Sequence, residues 1–365
     1  MRWDVFCKVI DNHGDVGVCW RLATQLAGQG QTVRLWIDDP SMLAWMAPHG
    51  RLGVEVIPWS AGTVLRAPGE VVIEAFGCEL ESAFVASISA AARERNGQPV
   101  WINLEYLSAE TFVERCHGLP SPVLSGPGAG LVKHFYYPGF TPATGGLLRE
   151  PDLAERQAAF DRCAWLARHG IRVDGDRLVS LFCYEPAPLA SWLRQLCLGG
   201  SRTHLLVTAG RAEAAVRNAL AQGGLPAIAA GVRGALSVSP LPLLTQQDYD
   251  HLLWSCDLNF VRGEDSWIRA LWAGKPFIWQ AYSQEDGVHH AKLEAFLRRI
   301  DAPAGVRRFH RAWNGAPGAE LPPVDQIANP HWASTAGREL LAQSALVTRL
   351  LDFVRARQAG SSGGR

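Results

Sequence analysis

Two short stretches of this chain combine residue types that do chemistry. Val261-Arg262-Gly263-Glu264-Asp265-Ser266-Trp267 lies between an apolar run, CDLNFV, and a helix-like run, SWIRALWAGKPF. A strand that ends in a glycine turn and opens a helix aims several backbone N–H groups at one spot, which suits phosphate or diphosphate. Arg262 adds a guanidinium that pairs bidentately with a diphosphate. Glu264 and Asp265 would repel that anion if aimed at it. They are better placed on sugar or ribose hydroxyls, which donate to carboxylates. Asp265 or Ser266 also suits a helix cap, but one cap does not need the whole set. The logic is that of a nucleotide-sugar site.

The second stretch, Asp11-Asn12-His13-Gly14-Asp15-Val16-Gly17, sets two carboxylates four residues apart across a glycine turn. Taken alone, Asp15 reads as a helix N-cap, Asp11 as a turn residue and His13 as a loop hydrogen-bonder. The spacing is not G-x-G-x-x-G, which argues against a nicotinamide dehydrogenase. Elsewhere, Phe182, Tyr184 and Glu185 end a strand-like run, where aromatic rings suit a nucleobase. Gln246 opens a helix-like run, TQQDYDHLLW, and suits either a hydrogen bond to a pyrimidine edge or a plain surface position. Tyr282 follows PFIWQA at another strand end. Asp286, His289 and His290 resemble a metal set only superficially: DGVHHAKLEAF reads as a helix with exposed histidines, so no metal site is expected.

Positioning such loops takes strands and helices in alternation. RWDVFC, TVRLWI, VEVIPW, EVVIEAF and PVWINL read as short buried strands, with a helix over Val18–Ala27 ended by Gly28 and Gly30, and a second helix capped by DDPS. This βαβ pattern implies a parallel sheet covered on both faces. Residues 138–152, rich in Pro, Gly and Thr, read as a linker. A helical run over 153–169 then leads into RLVSLFCY, THLLVT, GALSV, CDLNFV and PFIWQ, a second series. An amphipathic helix over Leu341–Val354 follows, and the tail reads as disordered. The expected units are residues 1–150, joined by a C-terminal helix at about 335–357, then 151–334, with a disordered tail at 358–365. In such sheets ligands bind at the carboxyl ends of strands, so two halves would face each other across an interdomain cleft.

The bulk composition agrees. A 365-residue chain exceeds one ordinary core, and 48% hydrophobic against 19% charged residues is a globular balance. Lys+Arg and Asp+Glu are both 35, so net charge suggests neither a nucleic-acid nor a membrane-surface partner. The eight cysteines form no CxxC or Cys/His cluster and sit mostly in apolar runs, which points to a reduced, cytoplasmic setting. No apolar run reaches about 18 residues, so no membrane span is expected. The N-terminus is too short and polar for a signal peptide. The fourteen tryptophans read first as core filling.

WDVFCKVIDNHGDVGVCWRLATQL, RLWIDD, SLFCYE, TQQDYDHLLWSCDLNFVRGEDSWIRALWAGKPFIW and YSQEDGVHHAKLEAF together resemble the bacterial elongation factor P arginine rhamnosyltransferases. The resemblance covers almost the whole chain apart from the tail. It implies a GT-B-type glycosyltransferase with two Rossmann-like domains. It also implies a TDP-β-L-rhamnose donor, an arginine of elongation factor P as acceptor, inversion at the anomeric carbon, and no metal or cofactor. On this resemblance Asp15 matches the general base, Asp11 its partner, and Glu264 a further catalytic group. The donor-binding set is Asn12, His13, Gly14, Phe182, Tyr184, Gln246, Arg262, Gly263, Glu264, Asp265, Ser266 and Tyr282. His13 stands where the family often has an aromatic residue, and Trp267 where it often has phenylalanine; neither change removes a charge. The rival readings are a GT-B enzyme with another acceptor and a non-catalytic nucleotide-sugar-binding module. The second would tolerate loss of Asp11 and Asp15.

Overall fold

The structure is a computed structural model that describes residues 1–10, 13–60, 66–94, 97–222, 235–284, 286–329 and 331–362. The chain forms two units, Met1–Pro151 with Gln343–Arg365, and Asp152–Ala342. In the first, β1 (Arg2–Cys7), β2 (Thr32–Ile37), β3 (Val54–Pro58), β4 (Val71–Ala75), β5 (Val100–Leu104), β6 (Pro120–Pro122) and β7 (Val132–Tyr136) make one sheet. Its order is β3-β2-β1-β4-β5-β7-β6, parallel except for the β6–β7 edge pair. In the second, β8 (Arg177–Leu181), β9 (Thr203–Val207), β10 (Leu236–Pro240), β11 (Leu258–Arg262) and β12 (Phe277–Gln280) pair in parallel, in the order β10-β9-β8-β11-β12.

The strands are apolar along their length because both sheet faces are covered. On one face of the first sheet, Trp3, Val5 and Cys7 pack in one cluster with Cys19, Leu22 and Leu26 of the helix His13–Gly28 and with Leu350 and Val354 of the C-terminal helix. On the other, Phe6, Trp36, Val72 and Trp101 pack with Phe84 and Ile88 of the helix Ser82–Glu94. Seven of the tryptophans, among them Trp3, Trp192 and Trp267, are no more than 1% exposed, so core filling is their main use. Asp4 does not face water, as a polar residue alternating along a half-exposed strand would. It is 0% exposed, and Arg34, the Trp36 indole and the Gly69 N–H all donate to it.

Several boundaries differ from the sequence reading. Residues 138–148 are not a free linker: Phe140, Leu147 and Leu148 are buried, and the Tyr136 hydroxyl donates to the Gly145 carbonyl. Glycine and proline there serve close packing, since a Cβ on Gly145 would lie 2.3 Å from the Tyr136 ring. The run 153–169 is broken into helices Leu153–Ala158 and Arg162–Arg168, the second capped by Asp161. Asp39 makes a turn to the Ser41 N–H rather than a cap, and the four-residue helix that follows starts after Met42. The chain returns to the first unit at Gln343, not near 335, because the helix His331–Leu341 packs Trp332 on Phe277 of β12. The last helix runs Leu346–Ser362, well into the expected tail.

Candidate active site

The strand orders place the chemistry. Each sheet reverses direction of winding once, between β1 and β4 in the first unit and between β8 and β11 in the second. At such a switch point the loops leave in opposite directions and open a crevice at the strands' carboxyl ends.

In the second unit that crevice is lined by the segment after β8 and the segment after β11. Arg262, the last residue of β11, is 5% exposed, and its guanidinium lies 4.5 Å from the Phe182 ring centroid and 4.4 Å from that of Tyr184. Ring contacts engage the flat faces of a guanidinium and leave its N–H fork in the plane between them. Gly263 turns with φ 67°, which glycine adopts without steric penalty. Glu264 is the first-turn boundary of the helix Asp265–Ala273, whose axis the turn sets. Ser266 locks the turn: its hydroxyl donates to the Arg262 carbonyl, and the Arg262 N–H donates to Ser266 Oγ at 3.2 Å. Ser266 is thereby bound to the backbone turn as well as standing at the helix start. Trp267 is fully buried, stacked 3.8 Å from Trp279, whose indole N–H donates to the Gly263 carbonyl.

Around this clamp, the Tyr184 N–H donates to Gln280, and the Tyr184 ring meets Tyr282 edge-on at 5.7 Å. Tyr282 is half exposed, Phe182 half-buried, and Tyr184 buried. Glu185 pairs with Arg211 at 2.8 Å, which holds its carboxyl below the usual range, with Arg262 adding to the effect. Gln246 begins the helix Gln246–Ser255, capped by Thr245. That helix carries a residue the sequence reading passed over. Tyr249 packs edge-on against Phe182 at 5.6 Å, and burial pushes its phenol upward. Its signal was an aromatic residue on the same short helix as Gln246. The helix is fixed to Asp265–Ala273 by a buried bidentate pair, Arg269 with Asp250, at 2.8 and 2.7 Å.

In the first unit, Asp11 and Asn12, together with the side chain of His13, lie outside the described residues. The helix starts at His13, so Asp15 sits inside its first turn rather than at the cap, with Gly14 beside it. A carboxylate there is favoured by the helix dipole. Asp15 is 3% exposed. Its Oδ2 accepts from the Ile10 N–H at 2.9 Å, and the Tyr106 hydroxyl lies 3.4 Å from Oδ1.

His289 corrects the expectation of exposed histidines: it is buried, and its Nδ1 accepts from the Gln284 N–H. Burial lowers its pKa, His290 adding to the shift. Among the described residues, no three His, Cys, Asp or Glu side chains gather as a metal site would require, and no helix is long and apolar enough to cross a membrane.

A solved structure concerned with EarP-mediated arginine glycosylation of translation elongation factor EF-P superposes with a TM-score of 0.67 at 32% identity, over 97% of this chain and 99% of that one. The fold is accordingly of GT-B type, with two Rossmann-like domains. Protein-arginine rhamnosyltransferases of Pseudomonas putida and Pseudomonas aeruginosa are 44% and 46% identical, over 97% and 96% of this chain and 98% of each relative. The model of the family Elongation-Factor P (EF-P) rhamnosyltransferase EarP matches residues 3–355, and the chain belongs to that family.

Proposed function

We propose that this protein moves L-rhamnose from TDP-β-L-rhamnose to an arginine side chain of translation elongation factor P, with inversion at the anomeric carbon and without a metal. The observation that carries the donor half is Arg262, held by two rings at the switch point of the second sheet. A planar cation at a helix start is built for a departing diphosphate. It takes the charge-neutralising role that a metal has in other sugar transferases. Phe182, Tyr184, Gln246 and Tyr282 surround the nucleotide, and Glu264 and Asp265 take sugar hydroxyls. The relatives named as protein-arginine rhamnosyltransferases support the acceptor. The setting is cytoplasmic, where the eight cysteines stay unpaired; neither nucleic acid nor membrane takes part.

A guanidinium is a poor nucleophile because its lone pairs are delocalised and it is protonated. Moving its proton to a carboxylate before attack spans about 10 pKa units, or roughly 13 kcal/mol. That alone is most of a barrier compatible with ordinary turnover. The proton therefore leaves as the C–N bond forms and the C–O bond to the diphosphate breaks, when the attacking nitrogen becomes acidic. Asp15, with Asp11, grips the guanidinium, and Asp15 receives the proton; Glu264 steadies the sugar as positive charge builds on its ring.

Incubation with TDP-rhamnose and elongation factor P, followed by intact-mass measurement, is expected to add one deoxyhexose to the arginine. No mass gain on that protein, with gain on another acceptor, would overturn the acceptor. No gain anywhere, with TDP still bound, would favour a binding module.

A further inference from the structure

The first crevice contains more than Asp15. The segment after β4 leaves the sheet at the same switch point, and it does so through an unusual turn. Phe76 has φ 58° and Gly77 φ 70°, with the Cys78 N–H returning to the Ala75 carbonyl at 3.2 Å. Two successive left-handed residues make a type I′ turn, for which glycine is the easy choice at both places. An aromatic residue in the first place costs about 1–2 kcal/mol. Glycine at 76 would remove that cost, so the side chain is what the turn retains.

The turn changes where the side chain goes. Along β4, Val71, Ile73 and Ala75 face the helix His13–Gly28, and Val72 faces the opposite layer. Alternation would send residue 76 to the layer of Val72. Instead Phe76 joins the cluster of Val71, Ile73 and Ala75. Its N–H still donates to the Leu104 carbonyl at 2.7 Å, so the backbone stays on the ladder while the ring is redirected. There it stacks on Tyr106, two residues past β5, at 4.5 Å and 17° between planes. Tyr106 is half-buried, and its hydroxyl is the group 3.4 Å from Asp15 Oδ1.

We propose that Tyr106, buttressed by Phe76, is a positioning residue of the acceptor site. Its phenol donates to Asp15 Oδ1 while the Ile10 N–H holds Oδ2, which fixes the carboxylate in rotation. The part of its ring that is not buried stands beside that carboxylate, and a π face next to a carboxylate is the pairing that a planar cation recognises. This inference rests on the reading of Asp15 as the group that receives the arginine.

Steady-state kinetics with TDP-rhamnose and elongation factor P separate the two roles. Tyr106→Phe keeps the ring and the stack but removes the donor. It is expected to lower kcat about tenfold, the lower end for a hydrogen bond to a charged group, with acceptor KM within twofold. Tyr106→Leu removes both. It is expected to lower kcat at least as far and to raise acceptor KM fivefold or more, so that Phe rescues KM but not kcat. Donor KM should stay unchanged in both, with TDP-binding stoichiometry normalising for folded protein. Wild-type kcat in Tyr106→Phe, or wild-type acceptor KM in Tyr106→Leu, overturns the inference. If either occurs while Asp15→Asn remains inactive, the base survives and only Tyr106 falls. If the wild-type protein transfers nothing to arginine, the underlying function is what fails.

Discussion

The two units share a topology and differ in the sign of what they present. Both wind outward from a central strand pair, and both place their chemistry after the strands that flank the reversal. The first presents a carboxylate, Asp15, on the first turn of a helix. The second presents a guanidinium, Arg262, on the last residue of a strand. Each charge is nearly buried and held by aromatic groups, Tyr106 in one case and Phe182 with Tyr184 in the other. The comparison teaches that the sheet decides where a site is, and the residues at strand ends and helix starts decide which charge it takes.

Removing the carboxylate should separate the units most sharply. Asp15→Asn keeps shape and removes the carboxylate proposed as the base, and rhamnose transfer is expected to fall by about a thousandfold or more. TDP affinity, set in the other unit, should stay within twofold by calorimetry. Retained turnover would end the assignment of Asp15, and lost TDP binding would end the division of labour.

Each unit also contains a buried bidentate ion pair, Arg34 with Asp4 and Arg269 with Asp250. Their settings differ. Asp4 on β1 gathers the Arg34 and Trp36 side chains of β2 and the Gly69 N–H just before β4, whereas Asp250 ties together the two helices that start with Gln246 and Asp265. Truncating one partner leaves a buried charge and costs about 3–5 kcal/mol. Asp4→Ala should speed hydrogen exchange across β1, β2 and the Gly69 segment. Asp250→Ala should speed it in the helices on either side of β11. Equal acceleration in both units from either change would show that they do not unfold separately.

Arg262→Ala should weaken TDP binding about 30- to 100-fold, since hydrogen bonds to charged groups are worth about 1.5–3 kcal/mol each. Arg262→Lys should recover little of it, because an ammonium has neither a flat face for Phe182 and Tyr184 nor a fork for two oxygens. Full recovery by lysine would reduce the role of Arg262 to net charge.

Much of this was legible because the loops follow strands whose apolar runs are unmistakable. The Arg262–Ser266 turn and the Phe182/Tyr184 rings stand where the sequence reading put them, and they meet because β8 and β11 are neighbours. Other features were hidden by non-local causes. The helix His13–Gly28 starts five residues earlier than its apolar spacing showed, and Asp15 on its first turn accepts from the Ile10 N–H and lies beside the Tyr106 hydroxyl, contacts that no local pattern announces. Tyr106 follows PVWINL in plain sight, but nothing local says that β5 brings it beside Asp15. Phe76 was invisible as a site residue because alternation points it the wrong way; only the left-handed turn reverses that. Residues 138–148 looked like a linker because the glycines that allow tight packing on Tyr136 are also the residues of loose chain.

The subtlest contrast lies in two histidines, each pushed down to about 4. His117 in the first unit is half-buried, accepts from the Tyr137 N–H, and is disfavoured as a cation by burial and then by Arg349 and Arg357. His310 in the second is fully enclosed, and burial is the leading cause. Its Nε2 accepts from the Trp279 N–H at 3.1 Å, so the ring proton sits on Nδ1, 3.0 Å from the Val306 carbonyl. Protonation would set a new N–H against the Trp279 N–H, on the strand whose indole holds Gly263. The folded state binds fewer protons than the unfolded state between pH 4 and 6.5. Stability therefore falls as pH drops through that window, and this group adds no further loss below about pH 4. His310→Gln removes the titration, so its unfolding free energy from urea titration should decline less than that of the wild type between pH 7 and 5, by a difference of up to about 2 kcal/mol. High salt should leave that difference in place for His310, whose cause is burial. It should shrink the matching difference for His117→Gln, where the half-buried Arg349 and Arg357 contribute and are partly screened. Parallel salt responses at both positions would mean that the two units keep their histidines neutral by the same means.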